Sequence, residues 1–288
     1  MWLPLALTAA LLTSFLPIIN KRLLVDADVR VVAWGINLLS LPVLAAASLL
    51  LFPIPSVDGM FWFGVVGSAL LNMAATLLST QAWKLADVSL VTPFLTFNPA
   101  FTLLVAWLVL GENPTVPGVL GVGLIVLGSY VINVAETKRS WWGPVHAIVR
   151  QPGIGLAVLA SFLWGLTPVT EKVAMLHSVP PNPPIVALGS TALMVVGLTL
   201  PLWSRPGVFS QVRRHARGFG LAAAIAGIAP VFGFTAIGTG LVGYVSAAFK
   251  LSTVLTVIWA GLLLKEQHQK PRLAGAACMV AGALLMAG

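Results

Sequence analysis

Lys250 falls about nine residues into the apolar run 241–263. That is roughly 14 Å along a helix at about 1.5 Å per residue, close to the midplane of a bilayer. Inserting a lysine there costs about 2.5–3.5 kcal/mol, so the residue needs a compensating use. Helical spacing puts Gly243, Ser246, Ala247 and Thr253 on its face. These small and polar residues leave room beside an ammonium. The chemistry this supports is a counter-charge for a carboxylate or phosphate, with proton exchange as a second capability. The alternative is a lysine that snorkels to an interface or bonds stray carbonyls in a packed bundle; its depth argues against snorkelling.

The matching position in an earlier apolar run is Thr96, on a face with Ser89 and Thr92 and with Asn98 close by. Pro93 and Pro99 remove two backbone donors and free carbonyls in mid-span. In lipid such groups are tolerated only against protein or a water-filled cavity. A polar second wall to a binding site is one reading, and threonine packing beside a proline kink is the other. Asn72 and Trp164 also lie at membrane depth. Asn72 can bond a substrate or another helix, and Trp164 suits an aromatic cavity wall. Trp259 lies nearer the inner end, where packing is the default.

Glu171 and Lys172 follow Pro168 near the outer end of the sixth run, and the corresponding pair Asn20 and Lys21 ends the first run at the inner face. A gate at each mouth of a cavity is one reading. Interfacial anchoring is the other, and is favoured for Lys21. Glu171, the acidic residue placed inside a span, is a candidate for proton coupling.

The elements that must position these residues are membrane helices. The chain of 288 residues is 58% hydrophobic and 8% charged, against about 25% charged in soluble domains, so lipid is the solvent for most of its surface. Ten apolar runs are long enough to span: 2–20, 31–52, 61–83, 87–110, 116–133, 153–175, 184–203, 218–238, 241–263 and 271–287. A linker at 137–151 divides them into five-helix halves, 1–136 and 152–288. Five is odd, so the second half starts from the opposite side and its topology is inverted. The expected fold is an all-α integral membrane protein of ten transmembrane helices in two inverted five-helix repeats.

Fourteen lysines and arginines lie in the loops after helices 1, 3, 5, 7 and 9, against Lys172 alone on the other side. The positive-inside rule then places both termini outside a bacterial-type plasma (inner) membrane. Trp2, Trp62, Trp141, Trp142 and Trp203 fall near span ends, where interfacial tryptophans belong. The net charge of +8 is read as this topology signal, not as a nucleic-acid surface. The single cysteine, Cys278, excludes a disulfide within the chain. No basic leader with a cleavage site precedes the first run, so no processing is expected.

The halves also repeat in sequence. At an offset of 154, Ala82, Val88, Thr102, Glu112, Pro117, Gly121 and Gly128 match Ala236, Val242, Thr256, Glu266, Pro271, Gly275 and Gly282. Pro17-Ile-Ile-Asn-Lys21 lies over Pro168-Val-Thr-Glu-Lys172. Such duplication in an apolar chain is a transporter signature, with the site where the repeats meet.

Leu108-Val-Leu-Gly-Glu112 with Pro117-x-x-x-Gly121, Leu262-Leu-Leu-Lys-Glu266 with Pro271-x-x-x-Gly275, and Ser161-Phe-Leu-Trp164 with Lys172 eight residues on together resemble the EamA-type transporters of the drug/metabolite transporter (DMT) superfamily. The resemblance covers nearly the whole chain. It implies a ten-helix carrier with a central cavity and alternating access that exports or exchanges small organic metabolites. The four-helix multidrug relatives depend on an acidic residue in their first helix, where this chain has Thr13 and Ser14, which weakens a drug-cation reading.

Enzymatic chemistry has little support. His146, His177, His215 and His268 lie in loops without metal-ligand spacing, and no phosphate-cradling Gly-x-x-x-x-Gly-Lys-Ser/Thr loop is present. No catalytic group, metal or cofactor is expected. The leading expectation is a secondary transporter of a small metabolite with an anionic group, amino acids included, as a monomer or homodimer, with protons as the coupling ion. Lys250 supplies the counter-charge, and Thr92, Thr96, Asn98, Trp164, Asn72 and Ser246 shape the pocket. Glu171, Lys172 and Lys21 serve gating or coupling. A flippase for an anionic lipid-linked headgroup also needs a buried cation. A receptor or scaffold without flux would use the kinked helices for packing alone.

Overall fold

The computed structural model describes residues 1–86, 88–136, 152–203, 205–264 and 270–287. The linker expected at 137–151 and the side chain of Thr92 lie outside the described residues. Helices dominate, because a chain in lipid must satisfy its backbone polar groups within each segment. Seven helical segments are long and apolar enough to cross a membrane, and three further apolar ones, Val116–Ile132, Val242–Thr256 and Ala274–Ala287, are shorter.

The first run is two helices, α1 (Trp2–Thr13) and α2 (Leu16–Leu23), followed by α3 (Val29–Leu50) and α4 (Gly59–Leu85). The fourth run, expected as one helix, is interrupted into α5 (Val88–Leu95) and α6 (Asn98–Leu110), with α7 (Val116–Glu136) after it. The second half holds α8 (Pro152–Leu176), α9 (Pro183–Thr199), the short α10 (Val208–Arg214) and α11 (Ala216–Thr239). The ninth run is also broken, into α12 (Val242–Phe249) and α13 (Leu251–Leu264), and α14 (Lys270–Ala287) ends the chain.

Two compact units arise, and neither is a sequence half: one takes Met1–Ala69 with Thr170–Thr239, the other Leu70–Val169 with Gly240–Gly288. In the first, Phe219 of α11 lies on Gly35 of α3, where an added Cβ would stand 2.8 Å from the ring. Leu23, Val31, Trp34 and Ile36 complete that core. Asn182 begins α9, accepting the Ile185 N–H at 3.2 Å and donating to the carbonyls of Ser48 and Pro53 at 3.0 Å each. Beyond the span ends, Ser56–Val57 (β1) and Ser178–Val179 (β2) pair antiparallel, and His177 Nδ1 lies 2.7 Å from Asp58 Oδ2 beside them.

The second unit is organised on α7 and α14, which meet through glycines. A Cβ on Gly121 would stand 2.5 Å from the Gly282 carbonyl oxygen, and one on Gly275 would stand 2.6 Å from that of Gly128. Under the repeat, Gly121 corresponds to Gly275 and Gly128 to Gly282. Each glycine therefore meets the counterpart of its partner's equivalent, the pattern of a two-fold axis. The contact order also makes α7 and α14 antiparallel, as inverted repeats require.

Two outcomes follow. Gly128→Leu destabilises the protein by about 1–3 kcal/mol through overpacking, read as a lowered thermal midpoint in detergent. Gly123→Ala, where an added Cβ meets nothing within 4 Å, does not, and equal losses would refute the packing account. At the β1–β2 clasp, the Phe61 backbone N–H first, and then His177, hold the Asp58 carboxyl below its ordinary value of 3.8. This contribution is complete above that ordinary value and is lost as pH falls through the lower folded value. Protection of the amides at residues 56–57 and 178–179 against hydrogen exchange, taken relative to the intrinsic rate at each pH, should fall in acid, and Asp58→Asn should show the lower protection at neutral pH.

Candidate functional site

The site grows from the two helix interruptions in the second unit. The α12 helix has no side-chain cap of its own at Leu241. Its first N–H, on Val242, is instead taken by both carboxylate oxygens of Glu112, at 2.8 and 3.1 Å. A carboxylate there satisfies an orphan donor and complements the positive end of the helix dipole. Tyr244 adds a second tie, its hydroxyl accepting the Thr115 N–H at 2.8 Å. Gly243 lets α12 press onto α6, where an added Cβ would lie 2.7 Å from Leu103 Cα.

Held this way, α12 runs eight residues and stops at Lys250. The Lys250 N–H bonds the Ala247 carbonyl at 3.0 Å, and its own carbonyl accepts from Thr253 at 2.9 Å. Both bonds span three residues, the tighter 3₁₀ pattern. Lys250 thus sits at the junction of two half-helices, where a continuous ninth helix was expected. It is half-buried, and among the described residues its ammonium takes no hydrogen-bond or ion-pair partner. Ser246, one turn earlier, is 6% exposed, and its Oγ has no hydrogen bond.

The matching junction is Thr96–Phe97. Pro99 has no N–H for the Leu95 carbonyl, and the chain turns through N–H bonds from Thr96 to Pro93 and from Phe97 to Phe94, both 3.3 Å. The Thr96 hydroxyl is spent locally, donating to the Pro93 carbonyl at 2.6 Å. Asn98 opens α6, and its side-chain oxygen is buried without a partner. The α8 helix passes against this turn at Gly165, where an added Cβ would be 3.0 Å from the Asn98 carbonyl and 3.2 Å from the Thr102 nitrogen. Trp164 covers the cluster of Val91, Phe94, Leu95, Ala157 and Ala160. Ser161, four residues before Gly165 and so on the same face, is fully buried with an unbonded hydroxyl.

The structure therefore groups Thr96, Asn98 and Trp164 at one junction and Ser246 with Lys250 at the other. Asn72 is half-buried on α4, its carbonyl taking the Thr76 hydroxyl at 2.8 Å. The residues assigned to gating all fall in the first unit. Glu171 is 7% exposed and accepts from Ser68 at 2.8 Å. Lys172 donates to the carbonyls of Ile237 and Gly238 at 2.6 and 3.0 Å. A cation on the last carbonyls of α11 is a C-terminal cap. Lys21 is exposed in the last turn of α2, as an interfacial anchor would be.

Two contributors were not singled out as site residues from the sequence, Ser161 and Glu112. The signal for Glu112 was its recurrence as Glu266 just ahead of the next element. For Ser161 it was the four-residue spacing to Gly165.

A model of the EamA-like transporter family matches residues 1–134 and again 151–288. A solved crystal structure superposes with a TM-score of 0.79 over 99% of this chain and 98% of that one, at 18% identity, a likeness of fold alone. No curated protein matches.

The cap on α12 can be tested directly. Glu112→Ala should cost about 1 kcal/mol of stability, the usual loss of a helix cap, while Glu112→Gln, which keeps one acceptor, should recover most of it. Thermal unfolding in detergent reads both, and equal losses would mean that the negative charge, not the hydrogen bond, holds the helix.

Proposed function

The chain belongs to the EamA-like transporter family, and from that premise we propose that it is a secondary transporter of a small metabolite carrying an anionic group. It is a multi-pass membrane protein. The observation that carries the anionic reading is Lys250, a cation at a broken span with no hydrogen-bond or ion-pair partner among the described residues. α12 ends at Lys250 and α13 begins beside it, so the ammonium stands where the negative end of one half-helix dipole meets the positive end of the next. The opposed dipole ends largely cancel and leave the ammonium as the group that favours an anion, and broken helices at mid-membrane are how many carriers build their sites.

The depth agrees. Lys250 is eight residues from the start of α12 and Thr96 eight from the start of α5, about 12 Å each at 1.5 Å per residue. With the repeats inverted, the two distances run from opposite faces of a core about 30 Å thick, so the junctions bracket the midplane. Ser246 and Asn98 add hydrogen-bonding groups for the rest of the substrate, and Trp164 adds an apolar wall. Amino acids and organic anions fit this set. Transport is by alternating access, as export or exchange, in a plasma-type membrane with both termini outside. Glu171, buried with Ser68, is the group proposed to couple protons.

The test is ligand-dependent stabilisation of purified protein against amino acids, organic phosphates and organic cations, followed by counterflow in proteoliposomes. Anions should stabilise the wild type. Lys250→Gln should weaken their binding about 30-fold, the equivalent of about 2 kcal/mol for a lost charge-assisted bond, and Lys250→Arg should retain part of it. Unchanged anion binding in Lys250→Gln would refute the assignment, and binding without counterflow would make the protein a receptor.

A further inference from the structure

In the first unit, the ends of α2, α10 and α11 line an open concavity of 610 Å³. Arg22, Arg213, Arg214, His215 and Arg217 line it. Its remaining wall is apolar, with Ile19 and Leu23 from α2 and Leu221 from α11. Gly218 lets the elements close up there, since an added Cβ would stand 2.8 Å from Leu23 Cδ2.

The charges in this concavity are not balanced from within. Among the described residues none of its four arginines has an ion-pair or hydrogen-bond partner. Of the nearby carboxylates, Asp28 is engaged, holding Arg205 at 3.0 Å and the Arg30 N–H at 2.8 Å. Asp26 is 3.8 Å from His215 Nε2, beyond hydrogen-bonding distance, and that nitrogen is buried with no hydrogen bond. Arg22, Arg213 and Arg214 stand in the last turns of α2 and α10, where the negative dipole ends offset part of their charge, whereas Arg217 has no such offset. The first turn of α11 has no acidic residue and carries Arg217, so the positive end of a 24-residue helix faces the guanidinium groups.

We propose that this concavity binds a phosphate-bearing anion, supplied by the headgroup of an anionic phospholipid. Guanidinium forks match phosphate oxygens in geometry and charge. The apolar wall beside them suits the hydrocarbon attached to a lipid phosphate, which a free phosphate lacks. The position suits a headgroup too: α2 and α11 belong to apolar spans, and the arginines mark where those spans leave the hydrocarbon, as in other basic pockets for lipid headgroups. The inference is independent of the transport reading, because it uses no residue of the Lys250 site.

The test compares the full chain in nanodiscs of phosphatidylcholine alone, of phosphatidylcholine with phosphatidylglycerol, and of phosphatidylcholine with inorganic phosphate in the buffer. Thermal unfolding and native mass spectrometry of retained lipid are the readouts. Phosphatidylglycerol should raise the unfolding midpoint and stay bound in the wild type. R213Q/R217Q should weaken that binding about tenfold, the loss of a charge-assisted contact. R30Q/K84Q removes the same charge from exposed positions outside the concavity and should leave binding intact. Should R213Q/R217Q fold poorly, Arg22→Gln alone carries the comparison and should lower lipid retention severalfold. Equal losses in R30Q/K84Q would reduce the effect to general surface charge and overturn the proposal. So would no gain from phosphatidylglycerol, or the full effect from inorganic phosphate alone, which would replace the lipid with a soluble anion.

Discussion

A backbone in hydrocarbon has no water to fall back on, and the rest of this structure depends on that constraint. Each peptide group must find its partner inside the protein, so a break in a membrane helix persists only where something replaces the missing bonds. Among the described residues three apolar runs are broken, at Ser14–Phe15, Thr96–Phe97 and Lys250. At the first two, hydroxyls take up the slack: Ser14 donates to Leu11 at 2.6 Å, Thr13 to Ala9 at 2.8 Å and Thr96 to Pro93 at 2.6 Å. Such back-bonding is what short polar side chains do when helical geometry loosens. At Lys250 the backbone alone makes the turn, and the side chain is left with nothing local to do.

The same constraint explains why the two copies agree where they do. Glu112 answers an orphan donor on another helix, a role in which a change of side chain is costly. The glycines of α7 and α14 are fixed by contact of backbone with backbone, where no side chain fits. The glycine positions carry the inverted geometry, and both copies keep them. At mid-span the requirement is only that each break be satisfied, and there Thr96 and Lys250 are free to differ.

Much of this was legible from the residues, for physical reasons. Spans announce themselves by apolarity, and every observed helical segment of the runs lies within a few residues of its expected bounds. The break at Thr96 was foreshadowed by Pro93 and Pro99, because proline has no donor to give. The break at Lys250 was not, since no proline or glycine stands at 249–252 and the turn is made by ordinary backbone bonds. The partners of Lys172 were hidden for a related reason. A lone lysine near a span end reads as a gate or an anchor, and only the fold shows the last carbonyls of α11 within its reach. The compact units were hidden too, since each is assembled from both repeats.

An inverted repeat presents a carrier with a difficulty that the mid-span difference resolves. If both junctions held a lysine, two like charges would stand near the midplane, each disfavouring the other and doubling the cost of burial. If both held threonine, the site would be neutral and indifferent to an anion. One cation at one junction, with a locally satisfied hydroxyl at the other, keeps a single charge to be matched. It also makes the two junctions chemically distinct. For the anionic substrate proposed above, that asymmetry would set one preferred orientation between Lys250 and the Asn98 turn, although the scaffold around them is nearly two-fold symmetric.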